Sequence, residues 1–170
     1  MVTFKNLWEN HPTISGQDSP CSTNGKSNFS DQCAIKVGVA LSSCGVNTAH
    51  IPGARHCWYH EKNQGHVLAA EDLANGIKNM PISGIGKIQK IEPQNFKKIL
   101  SGKKGIVFFK DYWARNGETT RNKSGDHIDL WNGSRLTDWK TWARIQMNLS
   151  WEGTWSDYRH SKEVWFWTVM

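Results

Sequence analysis

Gly125-Asp126-His127-Ile128-Asp129-Leu130-Trp131-Asn132-Gly133-Ser134-Arg135-Leu136-Thr137-Asp138 is the stretch on which the reading of this chain turns. Asn-Gly between two runs that contain apolar residues is a strong short-range signal for a two-residue hairpin turn. With Asn132 and Gly133 in the turn, the register follows. Trp131 faces Ser134, Leu130 faces Arg135, Asp129 faces Leu136, Ile128 faces Thr137, and His127 faces Asp138. Directly opposed residues on one face have Cβ atoms about 4.5–5.5 Å apart. The hairpin alone therefore predicts an imidazole beside a carboxylate, a base with the group that fixes its tautomer. Asp129 competes for that role, because it lies two residues on along the same strand face. Asp126 points to the opposite face.

Such a pair wants a nucleophile, and Cys33 is well placed in Asn28-Phe29-Ser30-Asp31-Gln32-Cys33-Ala34-Ile35-Lys36-Val37-Gly38-Val39-Ala40-Leu41-Ser42-Ser43-Cys44-Gly45. Ser30 or Asp31 suits an N-cap and Gly45 suits a C′ stop. Cys33, Val37, Ala40, Leu41 and Cys44 recur at helical spacing and are expected to face inward. Cys33 then sits within the first turn, where the positive end of the helix dipole favours thiolate. A cysteine at a helix start with a distant strand histidine is the papain-type arrangement. The competing reading is a small buried residue at a helix start.

The 170 residues suggest one domain, 1–170, with a sizeable core. Six of the ten tryptophans (Trp139, Trp142, Trp151, Trp155, Trp165 and Trp167) crowd the C-terminal third. They read first as core and second as a platform for carbohydrate. The net charge of +6 and pI of about 9.2 suit an anionic partner such as a cell wall. No dense Lys/Arg stripe interleaved with aromatics occurs, which argues against nucleic acid. No run of about 18 apolar residues occurs, so no membrane insertion is expected. Residues 1–20 show no apolar signal-peptide region, so the expectation is a cytosolic protein or one exported without a cleaved leader.

Cys33 and Cys44 lie about 16 Å apart on one helix and cannot pair. Cys21 and Cys57 lie in loop-like stretches and could pair in an oxidising compartment. His56, Cys57 and His60 sit close together, with His50 and His66 flanking. A zinc site would want a further ligand at a recognisable spacing, and none is apparent, so no metal and no cofactor are expected.

Along the chain, residues 3–10 read as a short amphipathic helix ended by Pro12, and residues 13–30 as an irregular lead-in. Residues 46–66 are a connection with little periodicity. Leu68–Ile77 and Pro93–Leu100 read as helices, Gly105–Phe109 as a buried strand, and 111–126 as a polar loop. Residues 137–151 fit a helix only ambiguously. Val164–Val169 is β-branched and aromatic, hence a closing strand. Helices come first and antiparallel strands follow, which is an α+β layout with the Cys helix packed on an antiparallel sheet.

Three blocks also resemble a known family. Gln32-Cys33-Ala34-Ile35-Lys36, Gly102-Lys103-Lys104-Gly105-Ile106-Val107 and His127-Ile128-Asp129-Leu130-Trp131-Asn132-Gly133-Ser134 resemble the type VI secretion amidase effectors, specifically their fourth group. The resemblance implies a papain-like fold of the NlpC/P60 type. It implies an antibacterial toxin made in the producer cytoplasm and delivered by the secretion machine to a neighbour's periplasm. The activity implied is peptidoglycan amidase (DL-endopeptidase) cleavage between D-glutamate and meso-diaminopimelate of stem peptides. The partners implied are those stem peptides, a secretion-system delivery component and a cognate immunity protein. The family's cysteine maps to Cys33, its histidine to His127, and its aspartate, eleven residues after the histidine, to Asp138. The cysteine pair that some relatives carry after the hairpin turn is missing here, and the 46–66 connection has no match. Two other readings stand beside this one: a different papain-like endopeptidase, and a non-catalytic wall-binding module that uses the tryptophans.

Overall fold

The computed structural model describes residues 1–113, 125–138 and 158–170. Their elements, in chain order, are α1 (Phe4–Glu9), α2 (Pro12–Ser15), β1 (Ser22–Thr23), β2 (Lys26–Ser27), α3 (Cys33–Ser43), α4 (Ala70–Asn79), β3 (Ile85–Ile91), α5 (Phe96–Leu100), β4 (Gly105–Trp113), β5 (Gly125–Trp131) and β6 (Glu163–Val169). The larger sheet has the order β3-β6-β4-β5, and each neighbouring pair is antiparallel. The α+β expectation holds.

The apolar run in β4 is continuous because both faces of the sheet are covered. Ile106 and Phe108 join Ile128, Leu130, Trp165 and Trp167 in one cluster beneath α1, α3 and α4. Val107 and Phe109 turn the other way, onto Phe96, Leu100, Trp131, Tyr158 and Phe166. All four of these β4 side chains are fully buried. Trp165 and Trp167 are core, as first read, whereas Trp139, Trp142, Trp151 and Trp155 lie outside the described residues, as does most of the ambiguous 137–151 segment.

Helix α3 ends as expected. Gly45 takes φ +83°. The Val46 N–H donates to Leu41 O at 3.1 Å and the Gly45 N–H to Ser42 O at 2.9 Å, a Schellman closure. At its other end Gln32 is the N-cap residue, while the Asp31 carboxylate accepts the Cys33 N–H at 3.1 Å. Pro12 does more than end α1: it opens the one-turn α2.

The hairpin after β5 differs from its expected form. Trp131 pairs with Leu136, not Ser134. Of the two turn residues only Gly133 has positive φ, at +100°. The Asn132 Oδ1 instead accepts the Ser134 and Arg135 N–H groups at 3.0 and 2.9 Å, and Gly133 O accepts the Gly102 N–H at 2.9 Å. An Asx-type turn and a tertiary contact thus lengthen the loop to four residues, and the register moves by two. A slip of two keeps the faces, because the strand period is two. The β5 ladder partner is β4.

Candidate active-site cleft

The cleft lies where the start of α3 meets β5, at the end of the sheet order. It has a volume of about 200 Å³ and is lined by Cys33, His127, Asp129 and Asp138, with His11 and Lys36. The three residues singled out in the sequence thus share one cleft. Cys33 is the first residue of α3, closer to the helix start than the sequence suggested. His127 and Asp129 alternate with Ile128 and Leu130 along β5, so the apolar pair anchors the strand while the polar pair faces away.

His127 and the Cys33 thiol line the same cleft, and the thiol helps to raise the His127 pKa. The His127 Nε2 lies 3.7 Å from Asp129 Oδ2, an ion-pair distance beyond that of a hydrogen bond. Burial opposes charge on both partners, but attraction wins. Tyr158, Asp129, Cys33 and Tyr112 together hold the His127 pKa well above the ordinary imidazole value. The Asp129 pKa is held below the usual carboxylate range by His127, His11 and Thr137. Thr137 donates its hydroxyl to Asp129, and the Leu130 N–H donates to the same carboxylate at 2.7 Å.

Asp138, half-buried, lines the same cleft one residue beyond Thr137. It arrives there by the four-residue loop and not by direct opposition to His127 across a two-residue hairpin. Asp129 also lies against the imidazole, as its position on the same strand face allowed.

Three contributors escaped the sequence reading. His11, the N-cap of α2, is buried with Nε2 3.7 Å from Asp129 Oδ1. Burial lowers its pKa to about 4, with Lys36 and His127 adding to the fall and Asp129 opposing it. A lone histidine before a proline carries no pattern that would announce this. Tyr158 stacks on the other side of His127, ring centroids 5.6 Å apart, and also packs on Tyr112. Gln32 is the third. Its Oε1 accepts the Cys21 N–H and its Nε2 donates to Cys21 O, both at 2.9 Å, which ties the β1–β2 hairpin to the residue preceding Cys33.

Behind this helix start, Cys21, Cys57, His60 and His66 bring their ligand atoms within 4.8 Å of one another. The sequence offered no further donor at a recognisable spacing, and the fold brings one to Cys57 and His60. Cys21, distant in sequence, joins through the Gln32 tie, and His50 and His56 are not part of the group.

A cysteine-bearing helix packed on an antiparallel sheet, with a strand histidine at the cysteine, defines a papain-like α+β fold. Comparison with known proteins agrees. The family model described as type VI secretion system amidase effector protein 4, Tae4, matches residues 29–167, and the chain belongs to that family. It is similar to the Tae4 effector of Enterobacter cloacae, with a TM-score of 0.62 at 14% identity, over 100% of this chain and 98% of that one. It is also similar to the Tae4 effector of Salmonella typhimurium in complex with the immunity protein Tai4 of Enterobacter cloacae, with a TM-score of 0.60 at 18% identity, over 100% and 99%. A further likeness is to the Tae4/Tai4 effector–immunity system of Salmonella typhimurium, with a TM-score of 0.54 at 20% identity, over 100% and 99%. No curated protein matches the chain. Among the described residues, no helix is long and apolar enough to cross a membrane.

Proposed function

We propose that the chain is a cysteine peptidoglycan amidase of the NlpC/P60 type, one catalytic domain over 1–170. Its substrate in this reading is the γ-D-glutamyl–meso-diaminopimelate amide of stem peptides in the target-cell periplasm. The observation that carries the reading is the Cys33 thiol at the first residue of α3, sharing one cleft with a half-buried imidazole of raised pKa. An imidazolium beside a thiol at a helix start favours the thiolate. The thiolate attacks the glutamyl carbonyl, His127 delivers its proton to the leaving amine, and a thioester remains. Water then attacks the thioester as His127 takes a proton, which releases the glutamyl carboxylate and restores the thiol.

Cys33, His127 and Asp138 are the proposed catalytic set. Asp129 is the buried counter-charge that keeps the imidazole charged and in place. The Cys33 N–H is the proposed oxyanion donor. It now donates to Asp31, an exposed carboxylate that the substrate oxygen would displace. The two Tai4 complexes of the Salmonella typhimurium relative support a cognate immunity protein as partner. Delivery by a type VI secretion machine is supported by the family.

The test is mass spectrometry of muropeptides from a Gram-negative wall digested with wild type, Cys33→Ala and His127→Ala. Fragments ending at D-glutamate are expected with wild type and absent with either variant. An unchanged muropeptide profile with folded, reduced wild type would overturn the reading in favour of a protein substrate or a binding module.

A further inference from the structure

We propose that Cys21, Cys57, His60 and His66 form a tetrahedral zinc site that fastens the 46–66 connection to the start of α3. The proposal is independent of the amidase reading.

Two thiols and two imidazoles are a donor set that zinc prefers. Zinc bond lengths at tetrahedral angles require neighbouring donor atoms about 3.3–3.8 Å apart. Cys57 Sγ lies 3.3 Å and Cys21 Sγ 3.6 Å from His60 Nδ1, and all four donor atoms fall within 4.8 Å of one another. The His60 and His66 rings converge to 4.0 Å between centroids. Cys21 is 0%, Cys57 4% and His66 5% exposed. His66 Nδ1 is buried without a hydrogen-bond partner, a cost that a buried polar atom seldom bears unrelieved.

The surroundings are those of a built site. Cys57-Trp58-Tyr59-His60 supplies two ligands three residues apart on one short stretch of chain. The Cys57 N–H donates to His66 O at 2.9 Å, which fixes the third ligand against the first two. Asn28 Nδ2 donates to Cys21 Sγ at 3.5 Å, and Gln32 clamps both backbone groups of Cys21. Such outer contacts orient metal ligands. Gly65, next to His66, sits so close to Gly38 of α3 that a Cβ on either would run into the other's backbone.

The site also answers a folding need. The 46–66 connection has two short 3₁₀ turns, at Thr48–His50 and Lys62–Gln64; Ile51 anchors its first half in the main core, but the apolar cluster around Cys57 is small: Cys21, Ile35 and Cys57, with Phe29, Val39 and Leu68 at its margin. A metal supplies ordering that such a cluster cannot. The line from metal to Cys21 to Gln32 ends at the residue before Cys33, so the site braces the helix start that presents the cleft thiol.

The rival chemistry is a Cys21–Cys57 disulfide, which would leave the two imidazoles converging on nothing. The experiment uses the full chain carrying Cys33→Ala, so that metal held at the cleft thiol is not counted. It is purified under reducing conditions without chelator, and metal is measured by mass spectrometry. About one zinc per chain is expected. Cobalt(II) added to chelator-stripped protein should give the intense visible bands of a tetrahedral thiolate site. Adding Cys57→Ser or His66→Asn should remove the zinc. If those variants fail to fold, the cobalt spectrum decides alone. Zinc-free protein with no cobalt bands would overturn the proposal. So would a Cys21–Cys57 disulfide recovered by alkylation and peptide mapping from protein isolated out of a reducing cytoplasm.

Discussion

Asp129 sits between two histidines, and the two respond oppositely to the same surroundings. His127 is raised and stays charged, whereas His11 is lowered to about 4 and stays neutral. The unfolded chain protonates His11 below pH 6.5, but the folded chain does not until about pH 4. Across that window the unfolded state binds more protons, so stability rises with pH and is lost on acidification. The full effect is about 3 kcal/mol. His11→Gln should therefore lose less stability than wild type between pH 7 and pH 5, measured by urea unfolding. Equal losses would show that His11 is not buried neutral. The two carboxylates also separate by their surroundings. Asp129 is buried, bonded by Thr137 and Leu130, and paired with His127. Asp129→Asn should destabilise the fold by about 3 kcal/mol, because it leaves a half-buried cation without its buried counter-charge. Asp138 is half-buried at the cleft wall. Asp138→Asn should leave the melting temperature near wild type while turnover falls on the order of a hundredfold. A folded Asp138→Asn protein with full turnover would pass the whole orienting role to Asp129.

At the scale of elements, α3 carries a test of how the 46–66 connection docks. Gly38 lies inside α3, where alanine would ordinarily gain about 1 kcal/mol of helix propensity. Its neighbour is the Gly65 backbone, which cannot move aside as a side chain could. Gly38→Ala should thus be net destabilising by on the order of 1–2 kcal/mol, a fall of a few degrees in thermal melting. A rise in melting temperature would mean the docking is looser than described. The same elements show what a linear reading can and cannot carry. Helix α3 was legible because its cap, periodicity and stop are local. So was β4, whose continuous apolar run permits a strand covered on both faces. Asn-Gly misled at 132–133, where Asn132 bonds its own turn and Gly133 bonds Gly102. The same dipeptide does make a two-residue hairpin at Asn24-Gly25, with φ +51° and +74° and Thr23 opposite Lys26, inside a stretch read as irregular. Strand β3 was not expected at all: it shows the burial of an outer strand, with much of Ile85–Ile91 exposed. Cys21 and Cys57 were matched only as a possible disulfide; that Cys21 also meets His60 and His66 was not legible, because it depends on the Gln32 clamp, a tertiary contact.

For the whole molecule, what matters is how a basic protein meets an anionic polymer. The chain carries 21 Lys and Arg against 15 Asp and Glu, a net charge of +6. Within the cleft, Lys36 stands among Asp31, Asp129 and Asp138, so the excess positive charge lies largely elsewhere on the surface. Such charge acts over distance and is screened within about 8 Å at physiological ionic strength. It should raise the concentration of enzyme on a wall bearing free carboxylates without altering the chemistry proposed at Cys33. Two assays then part company as salt is added. Retention of Cys33→Ala protein on intact sacculi should fall on the order of severalfold between low and high salt. Turnover of a small soluble muropeptide by wild type should change little, because the close His127–Asp129 pair, with its carboxylate buried, is screened far less than surface charge. If retention were independent of salt, the wall would be gripped by the cleft or by exposed aromatics such as Trp58, 72% exposed, and not by net charge. If soluble turnover fell as steeply as retention, charge would be acting at the cleft itself, with Lys36 the first residue to replace.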